Sequence, residues 1–549
     1  MKQLEIKQQR CTMADIKKFT GNKIVRQGIF LAIATFAVRF IGFLYRIPLT
    51  NILGDSGNGI YGPAFEVYSF LLVISSNGIP LVVSKNVSQR LAMKRRKDAE
   101  KIFYATLVFS TIVSTVAALV IIIGADFFAR SLNIKQLALP LRILAPTIIL
   151  VSIKGTLFGY FYGRKSTVPA AISQLIEQLM NAVVSVVFAY ILISKGPEFG
   201  AAGSTLGTVA GALFGLFFML LLYFAYRKNY RYKLFNDTVN DTETFQSAFK
   251  LVSLSIVPIA IGTAVFQITG LVDTFMLSKG LAANGYTNEL ILSMQGIFSG
   301  KFKVLTTLPI AVGPAIAAAI VPSLATSNIK KETNVINNKI HLILKYLMLF
   351  AIPASVGLFI LANPIMTMLF HDSSPTPTVL LQIGAASIVF YCLSTMTINI
   401  LQSLDKLKLP VRNLWIALIV KIILNYLLIY IYDFNLNGVV ATGVIFSFIS
   451  SVLNLISIKK ETNYRIDYWR VFLIPIISSA IMSIPGVIIY KLLRLISFGN
   501  TISTLISIIV CVLTYGVSVL LLKGITENEI LMFPKGMTIL NLLKKLKLM

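Results

Sequence analysis

Charge is scarce in this 549-residue sequence: Asp, Glu, Lys and Arg together make up 13% of it, against 56% hydrophobic residues. A soluble domain carries roughly 25% charged residues, so a soluble globular fold is excluded. Histidine is nearly absent, with only His341 and His371, both at the edges of apolar runs and without ligand spacing. The three cysteines, Cys11, Cys392 and Cys511, stand far apart with no CxxC pair, which excludes a disulfide framework and a cysteine metal cluster. There is no Gly-Lys-Ser/Thr phosphate loop, no acidic pair in an aqueous loop and no nucleophile elbow. The chain is therefore expected to be neither a nucleotide hydrolase nor a glycosyl or acyl transferase, and to need no cofactor. The first 26 residues hold Lys2, Lys7, Arg10, Lys17, Lys18, Lys23 and Arg26 but no separate apolar core, so they read as a basic cytoplasmic leader and not as a cleaved signal peptide.

What the sequence has instead is apolar blocks of about 20 residues, the length at which a 1.5 Å rise per residue crosses a hydrocarbon core of about 30 Å. The reading is an all-α polytopic membrane protein of about fourteen transmembrane helices. Residues 1–26 are the leader, 27–226 a first lobe of six spans, 227–250 a cytoplasmic linker and 251–458 a second lobe of six. Residues 459–523 add two further spans, and 524–549 form an amphipathic cytoplasmic tail alternating Ile539, Leu542, Leu543 and Leu546 with Lys544, Lys545 and Lys547. Such a helix lies on an anionic leaflet, which makes anionic lipids an expected partner. The first span covers 27–50, the second 61–84, the eighth 302–324 and the fourteenth 501–522.

The formal net charge of +28 would suggest nucleic acid in a soluble chain; sorted by loop, it gives topology instead. Counting span-edge residues with their loops, 36 of the 50 Lys and Arg lie in the tails and inward loops and 8 in outward loops. By the positive-inside rule both termini are cytoplasmic in a plasma membrane, and no nucleic acid is expected. The two blocks of six look related. Phe65-Glu66-Val67 matches Phe302-Lys303-Val304, Leu91-Ala92 matches Leu324-Ala325, the runs ending at Pro169 and Pro410 correspond, and Gly200 pairs with Gly438. Offsets near 240 residues make this a parallel repeat, because an even-numbered half keeps its orientation.

Ionisable residues inside spans cost roughly 2.5–3.5 kcal/mol each at a helix centre on the insertion scale, so they face a cavity or a partner. Arg39, Arg46, Arg142, Lys154, Lys345 and Lys421 stand against Glu66, Glu177 and Asp273. Arg142, Lys154 and Lys345 are close enough to an interface to snorkel; Arg39 and Lys421 are not. Seven residues separate Arg39 from Arg46, placing them on one face about 10 Å apart. With Glu66 on the second span and Lys301 and Lys303 at the matching repeat position of the eighth, a cavity with a basic wall is expected. Surplus positive charge suits an anionic passenger, and a guanidinium matches the geometry of phosphate. The alternative is that Arg39–Glu177 and Lys421–Asp273 are buried pairs that only hold helices together. Gly203, Gly207, Gly211 and Gly215 at a four-residue period read as a close helix contact.

The run Val38-Arg39-Phe40-Ile41-Gly42-Phe43-Leu44-Tyr45-Arg46-Ile47-Pro48, followed by Gly54 and Gly57-Asn58-Gly59-Ile60-Tyr61, resembles the N-terminal signature of Gram-positive polysaccharide and lipid II flippases. So does Asn77-Gly78-Ile79-Pro80-Leu81-Val82-Val83-Ser84-Lys85. These belong to the multidrug/oligosaccharidyl-lipid/polysaccharide exporter superfamily, in the branch of the MurJ type and of stage V sporulation protein B. The resemblance implies a V-shaped cavity opening alternately to each side, in which Arg39 and Arg46 bind a polyprenyl-diphosphate-linked glycan. Lys301 and Lys303 fall where the MurJ-type motif has an arginine and a glutamate before its proline; no acid lies between them and Pro309. It further implies a tail groove formed by the two extra spans, and a coupling ion, sodium or proton, on Asp273 with Asn425 and Thr442. Transport of the peptidoglycan precursor is the leading expectation, with cell-wall synthesis machinery as a partner. Another lipid-linked polysaccharide unit and drug or cation antiport are the alternatives.

Overall fold

The computed structural model describes residues 23–235, 243–531 and 536–545; it is helical throughout, with no strand among the described residues. Eleven of the described helical stretches are long and apolar enough to cross a membrane, the first of them 60 residues long. The chain divides between Phe275 and Met276 into two compact units.

In the first unit, α1 runs from Lys23 to Ser76 with one residue out of helical conformation, Gly54 at φ 61°, ψ −175°. That region is essentially open to glycine alone. The break frees carbonyls, and the Asn58 side chain caps two of them, Thr50 O at 3.0 Å and Gly54 O at 2.7 Å. What the sequence offers as two spans with a loop is two helices meeting at a point. A second glycine with positive φ, Gly78, ends this stretch, and Pro80 in the first turn starts α2 (Ile79–Ala92). Then follow α3 (Arg96–Ser131), α4 (Ala138–Gly163), α5 (Val168–Leu192) and α6 (Pro197–Phe235). The unit's core is Ile79, Val83, Ile102, Phe103, Leu157 and Tyr160. The glycine stripe of α6 does what small residues do. Gly203, Gly207 and Gly211 meet the α5 backbone at Phe188, Ser185 and Glu177, closer than any side chain would permit.

The expected linker is partly helical, since α6 continues to Phe235 and α7 (Phe245–Ala283) begins earlier than its apolar run; residues 236–242 lie outside the described residues. Its end is pinned where Arg90 forks onto Glu243 at 2.7–3.0 Å and Lys101 donates to the Glu243 carbonyl at 2.7 Å.

In the second unit, the helical stretch that carries the expected eighth span starts ahead of Phe302. Helix α8 (Asn288–Gly296), capped by Thr287, passes through a π-helical turn, Ile297–Phe302, into α9 (Lys303–Ile310) and α10 (Val312–Ile329). Its first turns are amphipathic, burying Ile291, Leu292 and Gln295, so an apolar window passes over them. Next come α11 (Thr333–Ile360), α12 (Ala362–Phe370), α13 (Pro375–Ser403), α14 (Lys408–Asn425) with a π turn over Tyr426–Ile431, and α15 (Asn435–Thr462). The extra pair is a π turn at Trp469–Leu473 leading into α16 (Ile474–Leu495), then α17 (Asn500–Leu521). In the tail are α18 (Glu527–Leu531) and α19 (Gly536–Lys545); Lys547 and Leu546 lie outside the described residues, as do the side chains of Ile539 and Leu542.

Candidate functional site

Within the first unit, α1 carries both arginines. Arg39 is exposed, and no hydrogen bond or ion pair to it is present among the described residues. Lipid is no solvent for a guanidinium, so that face needs water or an anion. Two turns on, Arg46 is half-buried, its guanidinium 5.6 Å from the centroid of the Phe65 ring. Tyr45, Tyr61 and Glu66 surround it. A cation against an aromatic face keeps its attraction when partly desolvated. Glu66 in turn lies against α7 where Gly270 has no side chain; any Cβ there would collide with the carboxylate.

Glu177 does not neutralise Arg39. It pairs with Lys154 of α4, and the Lys154 side chain is 4% exposed. The expectation that Lys154 snorkels is thus corrected: its ammonium turns inward because a carboxylate is there. Arg142 does stay at the surface, bonded to Asp126 at 2.7 Å with both side chains exposed. The faces of α1 and α5 meet at this level, with Gln178 against Gly42 and Asn181 Nδ2 donating to the Tyr45 hydroxyl at 3.4 Å. Buried Tyr68 lies beside both Tyr61 and Glu177. Asp273 is buried on the part of α7 that belongs to this unit.

Within the second unit, Lys301 sits on the π turn, buried, and donates to Asp372 Oδ2 at 2.6 Å. Asp372 also accepts from the Ser374 backbone N–H at 2.9 Å. Burial pushes its carboxyl up, but the hydrogen bonds from Lys301 and Ser374 outweigh that and hold it below the ordinary value. Lys303 takes another direction, with its ammonium 4.6 Å from the centroid of Phe298. The wider turn separates the two lysines, as π turns at functional sites often do. Lys421 is buried on α14, 5.3 Å from the centroid of Phe446 on α15. Asn425 and Thr442 are brought together, the threonine hydroxyl donating to the amide oxygen, with both side chains fully buried.

Lys345, also expected to snorkel, is instead 1% exposed and sealed by the tail, donating to both carboxylate oxygens of Glu529 at 2.7 and 2.8 Å. Residues of α11, α16 and α17 line an apolar cavity of about 440 Å³, among them Phe350, Pro353, Gly357, Met482, Cys511 and Tyr515. Reading the sequence missed Tyr45, Tyr61, Tyr68, Asp372 and Glu529. Tyr61 and Tyr68 share the seven-residue spacing of the arginines, a signal that was available; Asp372 and Glu529 carry none.

Taken together the two helical units describe a multi-pass membrane protein. A family model described as polysaccharide biosynthesis protein matches residues 24–328, and the chain belongs to that family. Among curated proteins it is 25% identical over 488 residues to the lipid II flippase MurJ of Bacillus subtilis (strain 168), covering 84% of this chain and 88% of that one. It is 23% identical over 474 residues to stage V sporulation protein B of the same organism, covering 86% and 89%. Among solved structures, the inward closed conformation of lipid II flippase MurJ shares the fold with a TM-score of 0.63 at 17% identity, covering 89% of this chain and 98% of that one. An inward-facing multidrug resistance MATE family transporter of the MOP superfamily matches at 0.59 and 17% identity, over 79% and 98%.

Proposed function

We propose that the chain is a flippase of the plasma membrane that moves a polyprenyl-diphosphate-linked sugar precursor outward by alternating access, with lipid II for peptidoglycan as its substrate and both termini cytoplasmic. The observation that carries the reading is Arg39: a guanidinium in mid-span, exposed, with no ion pair among the described residues. Two guanidiniums on one face, about 10 Å apart, suit the forked geometry and double charge of a diphosphate. A cationic drug would meet repulsion there. The apolar cavity of the second unit supports a place for part of the polyprenyl tail, being lined by α17 and α16. Within the second unit, Lys301, Lys303 and Lys421 are further cations suited to an anionic group. The membrane potential or a coupling ion, sodium or proton, would drive the cycle.

The family description favours a second reading, another lipid-linked polysaccharide unit with the same diphosphate. Depletion in a strain without a redundant flippase, followed by measuring outward exposure of labelled lipid II, separates them. Loss of exposure is expected; unchanged exposure of lipid II with loss of a different surface glycan would favour the second reading, and no change in either would overturn both.

A further inference from the structure

Each of the buried ion pairs Arg164–Glu100, Lys345–Glu529 and Lys301–Asp372 has a hydrogen bond beyond the pair itself. Glu100 also accepts from Tyr160, Glu529 from the Thr526 N–H and Asp372 from the Ser374 N–H. Arg90 reaches Glu243 with a fork. Lys154–Glu177 has neither feature. No other hydrogen bond or ion pair reaches either charged group among the described residues; only the Phe158 ring stands near the ammonium, 5.9 Å away. An ammonium has three donors and a carboxylate about four acceptor positions, so most of this pair's capacity is unused. A buried pair held so sparsely does not repay its desolvation well.

The exposure is also lopsided: the lysine side chain is 4% exposed and the glutamate 28%. The acid is therefore the lid and the base is what it covers. Its position is specific too. Gly42 faces Gln178 and Tyr45 contacts Asn181 in the same register. Glu177 therefore stands level with residue 41, about 3 Å along the axis from Arg39 and about 8 Å from Arg46. Tyr61 and Tyr68 connect Arg46 to Glu177 along one face of α1.

We infer that Lys154 is a third cation of the head-group site and that Glu177 is its resident stand-in, displaced when a diphosphate binds at Arg39. The inference rests on the proposed function. A phosphate oxygen would take over the ammonium donors that the carboxylate leaves idle, and Glu177 would return when the anion leaves. Exchange of one anion for another keeps Lys154 neutralised at every stage, which no unpaired lysine in a membrane interior would manage.

The test uses the full-length protein in lipid nanodiscs, with a long-chain polyprenyl diphosphate and, separately, inorganic pyrophosphate as probes. Glu177→Gln removes the competitor, so binding of the polyprenyl diphosphate should tighten about tenfold and its release should slow; Lys154→Met should weaken it by a similar factor. Pyrophosphate should show the same ordering if the site reads phosphate alone; binding of the lipid without any response to pyrophosphate competition would overturn the assignment to the head group. The double exchange K154E/E177K guards against misfolding. A merely structural pair predicts wild-type affinity for it, whereas the inference predicts tighter binding, since the cation then occupies the exposed position. Unchanged affinity in folded Glu177→Gln overturns the inference and leaves the flippase reading standing; wild-type protein that binds no polyprenyl diphosphate overturns both.

Discussion

Arg39 and Arg46 are the same residue type on one helix face, yet their surroundings give them different mutational signatures. Among the described residues Arg39 touches no partner that its loss would strand, so Arg39→Ala should shift stability by no more than about 0.5 kcal/mol, as at an ordinary exposed position. Precursor export should nevertheless fall at least about tenfold, the loss expected when a charge-assisted contact is deleted. Arg46→Ala removes a cation packed on Phe65 and neighbouring Glu66, and should cost about 1–2 kcal/mol of stability as well as export. Lysine at either position should restore part of the transport, because a point charge attracts the diphosphate without the fork. Thermal unfolding in detergent and an export assay on the same variants check both halves. A well-folded Arg39→Ala protein with normal export would remove the proposed site.

At the scale of the helix, the break at Gly54 depends on backbone conformation and nothing else, since no atom lies within 4 Å of where a Cβ would stand. Gly54→Ala should therefore destabilise by about 1–3 kcal/mol through strain at φ 61° alone. Gly78→Ala should cost more, because its Cβ would also meet Ile259 at 2.8 Å. Equal melting temperatures for Gly54→Ala and wild type would show that the break tolerates an ordinary residue. The elements legible in the sequence were those where apolar length and periodicity speak for themselves. The expected fourteenth span at 501–522 lies almost wholly on α17, and the Arg39–Arg46 face follows from 3.6 residues per turn. The helical turns from Asn288, ahead of the expected eighth span, were not legible because they are half polar. Lys154 and Lys345 were misread because position along a helix says how near the interface is, while the carboxylate that turns a lysine inward comes from elsewhere in the chain. For Lys345 that partner is 184 residues away.

For the molecule as a whole, the tail is fastened to the second unit through the Lys345–Glu529 pair. Burial raises the Glu529 carboxyl, but hydrogen bonds from Lys345 and Thr526 bring it below the ordinary glutamate value of 4.5. A depressed folded value means that the pair's contribution is fully present above pH 4.5 and is lost as pH falls through the folded value. Protease cleavage of the tail should therefore accelerate on acidification in the wild type. Glu529→Gln should be cleaved rapidly already at neutral pH, having lost on the order of 3 kcal/mol. A tail equally resistant in both proteins would mean that other contacts hold it.

The loop-free junction at Gly54 also matters while the chain is still being synthesised. The first span reaches the insertion machinery carrying two arginines, at roughly 2.5–3.5 kcal/mol each near the bilayer centre, before anything that accommodates them exists. Tyr61, Phe65 and Glu66 follow fifteen to twenty residues after Arg46, with no loop to delay them. The two spans are thus suited to leave the ribosome as one helical hairpin, so that the residues gathered around Arg46 in the finished protein serve first as its escort into the bilayer.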